Sequence, residues 1–166
     1  MALKIFRFLS LFFTALALGA ALAHLLELPN KINLARDDYL TVQQIYRGWA
    51  LLGIVVAGAL ISTLTSTIMV RKMPRTFILS LIALLSIVGT QIIFWIFTYP
   101  ANQATTNWTF LPENWEVLRR QWEYSHAASA GLNLIAMVTL ILSLLVSNRP
   151  IERRENAMGQ VHPIHS

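Results

Sequence analysis

Four residues at the start of the last apolar segment have side chains that can carry out chemistry, and their spacing places them together. Trp115, Arg119, Trp122 and His126 follow one another in steps of four, three and four residues, which return to one face of an α-helix. An imidazole titrates near neutral pH and suits proton transfer, whereas a guanidinium suits the binding of an oxyanion. Such groups are costly beside a membrane, so we expect this face to line a bundle interior or a pocket.

A second pair of ionisable residues stands near the end of the first apolar segment. His24 and Glu27 are three residues apart, as are Glu123 and His126, and this spacing puts each pair on neighbouring positions of a helix. We expect His126 to be the working group of the site, with His24 approaching it. Glu123 is expected to support them by neutralising an arginine or by completing a metal site.

Four interpretations of these four residues stay open. A single metal ion, such as iron or copper, could be held by His24, Glu27, Glu123 and His126, because imidazole and carboxylate are suitable ligands. A haem with the two histidines as axial ligands is another possibility. The pattern favours a metal-free polar pocket. The purely structural alternative is a set of ion pairs, with Glu123 bound to a neighbouring arginine on its own helix.

The elements that position these residues are membrane helices. The chain has 166 residues, of which 55% are hydrophobic and 13% are charged, whereas soluble domains carry about 25% charged residues. Four apolar segments approach the roughly 20 residues that a bilayer crossing requires: Ile5–Leu26, Trp49–Val70, Phe77–Tyr99 and Ala127–Val146. We predict an all-α, four-helix transmembrane bundle in residues 1–148 and a polar cytoplasmic tail in residues 149–166. We expect the first segment to be retained as a helix, although it resembles a signal peptide.

The distribution of charge indicates topology rather than nucleic-acid binding, despite the net charge of +5. Basic residues surround the N-terminus, the loop between the second and third segments, and the C-terminal end: Lys4, Arg7, Arg71, Lys72, Arg75, Arg149, Arg153 and Arg154. The remaining two loops hold most of the acidic residues. The positive-inside rule therefore places both termini in the cytoplasm and the candidate site at the outer end of the bundle.

Helix boundaries follow from the prolines. The first helix is expected to end at Leu28, before Pro29, and the last to begin near Pro112 and to extend beyond the membrane on the outer side. The third segment contributes Gln91 and Trp95 to the outer half of the bundle. We therefore expect all four helices to supply polar or aromatic groups to one outer-leaflet layer.

The segment TTNWTFLPENWEVLRRQWEYSH, residues 105–126, together with four apolar helices, resembles the anthrone oxygenase-like family of small membrane proteins. The shared pattern is an outer-loop asparagine, here Asn107, followed by Trp115, Arg119, Trp122 and His126. The resemblance implies a membrane-embedded oxidoreductase that converts a hydrophobic aromatic or quinone-like substrate with molecular oxygen, without a dedicated organic cofactor.

The resemblance also implies roles for particular residues. His126 or His24 would act as the base and Arg119 would stabilise an oxyanion. Trp95, Trp115 and Trp122 would stack on a flat ring, and Asn107 and Gln91 would complete the substrate pocket. Two further functions stay open: a non-enzymatic subunit that binds a partner membrane protein or a second copy of itself, and a metal-binding or haem-binding protein. In a bacterium we would expect the chain in the inner membrane.

Overall fold

The computed structural model describes the backbone of residues 1–159 and the side chains of residues 1–147. Its helices are α1 (Ala2–Lys31), α2 (Arg36–Gln43), α3 (Leu52–Met69), α4 (Pro74–Ile93), α5 (Tyr99–Ala104) and α6 (Trp115–Gly159). Within the described residues, four stretches are long and apolar enough to cross a membrane: Ala2–Lys31, Trp49–Met69, Pro74–Ala104 and Trp115–Ser147. The predicted fold class is therefore confirmed, and the chain is a multi-pass membrane protein built as a four-helix bundle.

The four long helices form a closed ring. Helix α1 packs against α3 and α6, and α4 packs against the same two helices from the other side. The start of α1 and the far end of α6 lie at one end of the bundle, where Arg7 donates a hydrogen bond of 3.1 Å to Ser147. The turn that joins α3 to α4 lies there too, since Ser143 donates to the carbonyl of Thr76 at 3.3 Å. The three regions that the charge pattern predicts to be cytoplasmic thus share one end.

The interior of the ring is built from small and hydroxyl-bearing residues, whereas the large apolar side chains face outward. Buried positions include Ser10, Thr14, Ala59, Thr63, Ser66, Ser80, Ala83, Ala136 and Ser143. In a bilayer the hydrophobic effect does not drive helices together, so their association depends on close packing. Small residues make that close approach possible. Ser10 and Ser66 donate to carbonyls of their own helices, while Ser80 and Ser143 join α4 to α6 at 2.8 Å.

Helix α1 does not end at Leu28, as the sequence predicts, but continues through Pro29 to Lys31. A proline lacks the N–H that would bond to the carbonyl four residues earlier. Because Pro29 lies near the end of the helix, only one backbone hydrogen bond is lost. The helical pattern continues after it, since the N–H of Ile32 donates to the carbonyl of Leu28 at 3.0 Å. The extension is important because it brings Lys31 onto the same helix as His24.

The other boundaries also shift. Helix α4 ends at Ile93 and passes through a π-helical turn, Phe94–Thr98, into α5. Helix α6 begins at Trp115 rather than Pro112, and it continues to Gly159, past the predicted start of the tail at residue 149. The membrane-spanning part, Trp115–Ser147, has 33 residues, which is about 50 Å of helix against about 30 Å of hydrocarbon. Residues 160–166, the end of the predicted tail, lie outside the described residues.

The two long connections at the opposite end fold together as a cap over the bundle. Helix α2 and residues 101–111 form an apolar cluster with the first turns of α6: Tyr39, Ala101, Trp108, Leu111, Leu118 and Trp122. Side chains tie these segments together, because Gln44 donates to the Trp108 carbonyl at 2.8 Å and Arg36 donates to the Leu111 carbonyl at 2.5 Å. This outer cap lies directly above the candidate site.

Candidate functional site

The two histidines predicted from the sequence meet at the contact between α1 and α6. Their imidazole rings are stacked, with centroids 4.0 Å apart and planes inclined by 22°. The indole of Trp122 packs edge-on against both, 5.0 Å from His24 and 4.3 Å from His126. His24 is only 5% exposed, while His126 is half-buried. The structure therefore brings together two titratable rings from helices that are distant in sequence.

The stacked geometry limits the charge that the pair can carry. Two unit charges about 4 Å apart repel by roughly 4 kcal/mol at an effective dielectric constant of 20, so the pair of imidazoles favours at most one extra proton. The Nδ1 atom of His24 is buried and has no hydrogen-bond partner among the described residues. A buried polar atom without a partner is uncommon and requires an explanation. A bound molecule with a hydroxyl or carbonyl group would satisfy it.

A buried ammonium group adjoins the pair. Lys31 is 3% exposed, and its Nζ lies 3.3 Å from Oε2 of Glu27 and 3.3 Å from Oε1 of Glu123. The same Nζ donates to the Tyr46 hydroxyl at 2.5 Å, and that hydroxyl donates to Glu27. The charged group also lies over two rings, 4.5 Å from the Tyr46 centroid and 5.2 Å from that of Trp122. One cation thus connects α1, α6 and the turn before α3.

Helix α2 contributes the phenol of Tyr39 to this network. Tyr39 is completely buried and donates to Oε1 of Glu123 at 3.0 Å, while Gln43 donates to the Tyr39 oxygen. Burial, and then the neighbouring Glu123 carboxylate, raises the pKa of Tyr39 far above that of an ordinary phenol. Burial and the hydrogen bond to Glu27 likewise raise the pKa of Tyr46. Both phenols are therefore neutral hydrogen-bond donors at physiological pH.

The expectation that Glu123 forms an ion pair with a neighbouring arginine is wrong. Glu123 is 1% exposed and pairs with Lys31 rather than with an arginine on its own helix. Its Oε2 atom has no hydrogen-bond partner among the described residues. Sequence reasoning missed Lys31 because it ended the first helix too early. With α1 extended past Pro29, the i, i+4 spacing of Glu27 and Lys31 would have identified the pair.

Arg119 faces the interior, as expected, but the structure does not bring it to the histidines. The residue is 7% exposed and donates to the Leu34 carbonyl at 2.7 Å. Its guanidinium stacks over Trp115 at 4.5 Å and lies 5.4 Å from the ring of Tyr39. These contacts fasten the connection after α1 to α6. The cation that adjoins the histidine pair is Lys31.

The asparagine that binds the tryptophans of the cap is Asn102, which the sequence analysis did not single out. The Asn102 Oδ1 atom accepts hydrogen bonds from the indoles of Trp108 at 3.1 Å and Trp122 at 2.9 Å. Asn107 is exposed and belongs to a left-handed turn, in which Thr106, Asn107 and Trp108 have φ angles of 50°, 54° and 60°. Non-glycine residues adopt this conformation at a cost of about 1 kcal/mol each. The turn directs Trp108 into the cap, where it is 4% exposed.

The two candidates on α4 and its π-helical turn lie apart from the histidine pair. Trp95 is 60% exposed and packs against Tyr99 with centroids 5.0 Å apart, so it faces the lipid side. Gln91 is half-buried and donates to its neighbour Thr90 at 3.2 Å. The expectation that all four helices line one layer therefore holds for α1 and α6, which supply His24, Trp122 and His126, and for the start of the second span, where Trp49 lies 5.3 Å from His24. It does not hold for the third span.

The metal set suggested by the sequence is not assembled. Among the residues that the structure describes, no group of three or more His, Asp and Glu side chains is placed to hold a metal ion. The Lys31 ammonium occupies the position between Glu27 and Glu123 at which a cation would neutralise both carboxylates. A haem does not fit either. Axial ligands approach the iron end-on from opposite faces of the macrocycle, whereas these two imidazoles are stacked face to face at 4.0 Å.

The fold and the site define a four-helix membrane protein with a titratable aromatic centre at one end. No family model, curated protein or solved structure matches this chain.

Proposed function

We propose that this protein is a membrane-embedded oxygenase that removes a proton from a flat, hydrophobic anthrone-like or phenolic substrate and allows the resulting anion to react with dioxygen. The observation that carries the proposal is the stacked pair of His24 and His126, 4.0 Å apart, with the buried Nδ1 of His24 left without a partner. A base must lie within hydrogen-bond reach of the proton that it takes. The unsatisfied nitrogen supplies such a position.

Lys31 is the residue that we propose stabilises the anion. When a proton leaves the substrate, negative charge develops on the substrate oxygen, and a fixed cation in a water-poor site lowers the energy of that state. Glu27 and Glu123 hold the ammonium group in place from two sides. In this proposal Lys31 replaces Arg119 as the electrostatic partner of the base.

The aromatic side chains around His24 suit a flat ring system. Tyr46 lies 4.5 Å from the His24 ring, Trp49 5.3 Å and Trp122 5.0 Å. Aromatic groups prefer offset or edge-on arrangements at these separations. A planar substrate that inserted between these rings would gain the same kind of contact while its oxygen reached the histidines.

The overall reaction balances with dioxygen as the oxidant. In an anthrone the base takes one proton from the ring CH2 group, and the carbanion, which is also an enolate, gives electrons to dioxygen. One oxygen atom becomes the new carbonyl oxygen of the quinone. The other leaves as water with the two hydrogens of the CH2 group, so each molecule of substrate consumes one molecule of dioxygen.

The resemblance of the segment from Asn107 to His126 to the anthrone oxygenase-like family supports this choice of substrate over other acidic hydrocarbons. The distribution of basic residues supports an outward-facing site, and in a bacterium the membrane would be the inner one. Asn107 itself lies outside the histidine centre, so the proposal assigns it to the cap and not to the substrate.

The direct test is oxygen consumption by the purified protein in lipid nanodiscs with anthrone as the substrate. The wild type is expected to consume dioxygen and form anthraquinone. His126→Ala and His24→Ala should each lower the rate by roughly 100-fold or more, the usual contribution of a general base. Tyr124→Ala, a 57% exposed position on the same helix, is the matched control and should retain the wild-type rate. Equal rates in the histidine variants and the wild type would refute the proposal.

A further inference from the structure

A small cavity lies inside the bundle at the end opposite the histidine pair. All four membrane-spanning helices line it, through Arg7 and Leu11 of α1, Ser66 of α3, Ser80 of α4, and Leu140, Ser143 and Leu144 of α6. Its free space of about 10 Å³ is what one water-sized group requires. The cavity therefore has room for a single oxygen atom, and its lining combines one permanent cation with three hydroxyl groups.

The side chain of Arg7 lines this cavity instead of extending fully into water. Its Nη1 donates to Ser147 at 3.1 Å, which fastens α1 to α6, while its Nη2 is buried and has no hydrogen-bond partner among the described residues. An arginine near a membrane boundary ordinarily keeps its charged head in water. A buried guanidinium nitrogen without a partner requires an explanation, and an anionic acceptor in the cavity would supply one.

A second donor is available from the serine pair of α4 and α6. Ser80 and Ser143 are joined at 2.8 Å, and either hydroxyl can be the donor. When Ser143 donates to Ser80, the proton of Ser80 is free to turn toward the cavity. An arginine N–H and a serine O–H then face the same small space, which suits an acceptor that carries negative charge.

The position of Arg7 along α1 matches the depth of lipid phosphate groups. Helix α1 begins at Ala2, so Arg7 lies about 8 Å from its start, and the apolar stretch from there to Leu26 is close to the roughly 20 residues that cross the hydrocarbon. Further basic side chains exposed at this end include Lys4, Arg71, Lys72 and Arg75. Clusters of this kind at the cytoplasmic face of a membrane attract anionic lipids.

We propose that this end of the bundle binds the phosphate group of an anionic phospholipid, with one phosphate oxygen in the cavity between Arg7 and Ser80. Only one oxygen fits, so the rest of the phosphate lies at the rim, beside the lining residues that keep some exposure: Arg7, Leu11 and Leu144. The bound lipid connects α1, α4 and α6 through a single group. The site is independent of the histidine pair and of the proposed function.

The test is native mass spectrometry of the purified, delipidated protein with added phosphatidylglycerol or phosphatidylcholine. The wild type should retain one phosphatidylglycerol molecule in preference to phosphatidylcholine. Arg7→Gln should weaken that retention by roughly tenfold or more, the effect of losing a hydrogen bond to a charged group, and Ser80→Ala should weaken it less. Arg75→Gln, at an exposed position of the same end, is the matched control and should retain the lipid as the wild type does.

Equal retention of phosphatidylglycerol by Arg7→Gln and the wild type would overturn the proposal. So would a wild type that shows no preference for phosphatidylglycerol over phosphatidylcholine, a result that needs no variant to fold. Thermal unfolding with inorganic phosphate in place of lipid distinguishes the source of the phosphate group. Stabilisation by inorganic phosphate that depends on Arg7, without retention of lipid, would assign the cavity to a soluble anion and overturn the lipid assignment.

Discussion

The ammonium nitrogen of Lys31 lies 3.3 Å from Oε1 of Glu123, and both side chains are shut off from solvent. Lys31 ends α1, and Glu123 lies on α6 one residue after the tryptophan that packs on the histidine pair. Breaking one partner of a buried ion pair leaves the other charge unsatisfied and costs about 3–5 kcal/mol. Lys31→Met is therefore expected to lower the free energy of unfolding by about that amount, measured by thermal or denaturant unfolding in detergent.

The double variant Lys31→Met, Glu123→Gln should recover most of this loss, because the fully buried charge of Glu123 is then removed. The carboxylate that remains, Glu27, has 36% of its side chain exposed. Lys4→Met, at an exposed position near the start of α1, is the matched control and should stay within about 0.5 kcal/mol of the wild type. Additive effects of the two single substitutions would show that the pair is not coupled.

Arg119 and Arg120 are neighbours in sequence with opposite surroundings. Arg119 is 7% exposed and stacks on Trp115, whereas Arg120 is exposed. Arg119→Lys keeps the charge but loses the planar stacking group, so it should cost about 1–2 kcal/mol of unfolding free energy. Arg120→Lys should be neutral in the same unfolding assay. Equal tolerance at the two positions would contradict the assigned packing.

The charge distribution predicts which end of the bundle faces the cytoplasm. The N-terminus, the turn around Arg71 and the far end of α6 share one end, and basic residues concentrate there. A reporter fused after Ser166 should therefore give a cytoplasmic signal, and a tag inserted after Glu113 should be reached by antibody from outside. The reverse pattern would place the histidine site on the cytoplasmic side.

The raised pKa of Tyr39 predicts how stability depends on alkaline pH. In the unfolded chain a tyrosine ionises near pH 10, whereas folded Tyr39 keeps its proton. The stabilisation is fully present below pH 10 and is lost as the pH rises above it. The slope for one such group is about 1.4 kcal/mol per pH unit. Unfolding measured between pH 9 and 11 should show Tyr39→Phe with a shallower decline than the wild type, and identical slopes would contradict the burial of this phenol.

Much of the fold could be predicted because hydropathy and charge act over whole segments. Four apolar stretches and their flanking basic residues define the spans, and helical spacing places Arg119, Trp122 and His126 on one interior face. The approach of His24 to His126 also follows from the depth of each residue in its own helix.

The rest depends on features that single-helix patterns do not contain. The last turn of α1, which contains Lys31, was not predicted because the sequence analysis ended the helix before Pro29. A residue before proline disfavours helical geometry but can still adopt it. Tyr39 reaches Glu123 only because α2 folds back over α6. No periodic pattern in the sequence indicates this tertiary arrangement. Asn102, which holds two indoles, looks in the sequence like any polar loop residue.

The central claim is that the histidine pair holds the substrate as its anion, and anaerobic absorption spectroscopy tests it most directly. Conjugated oxyanions absorb at longer wavelength than their neutral acids, and without dioxygen the anion cannot react further. Anthrone titrated into the wild-type protein in nanodiscs should develop the long-wavelength band of its anion at pH 7. His126→Ala should bind the compound without that band, and Tyr124→Ala should match the wild type. A bound substrate that stays neutral in the wild type, or an anion band that persists in His126→Ala, would contradict the account.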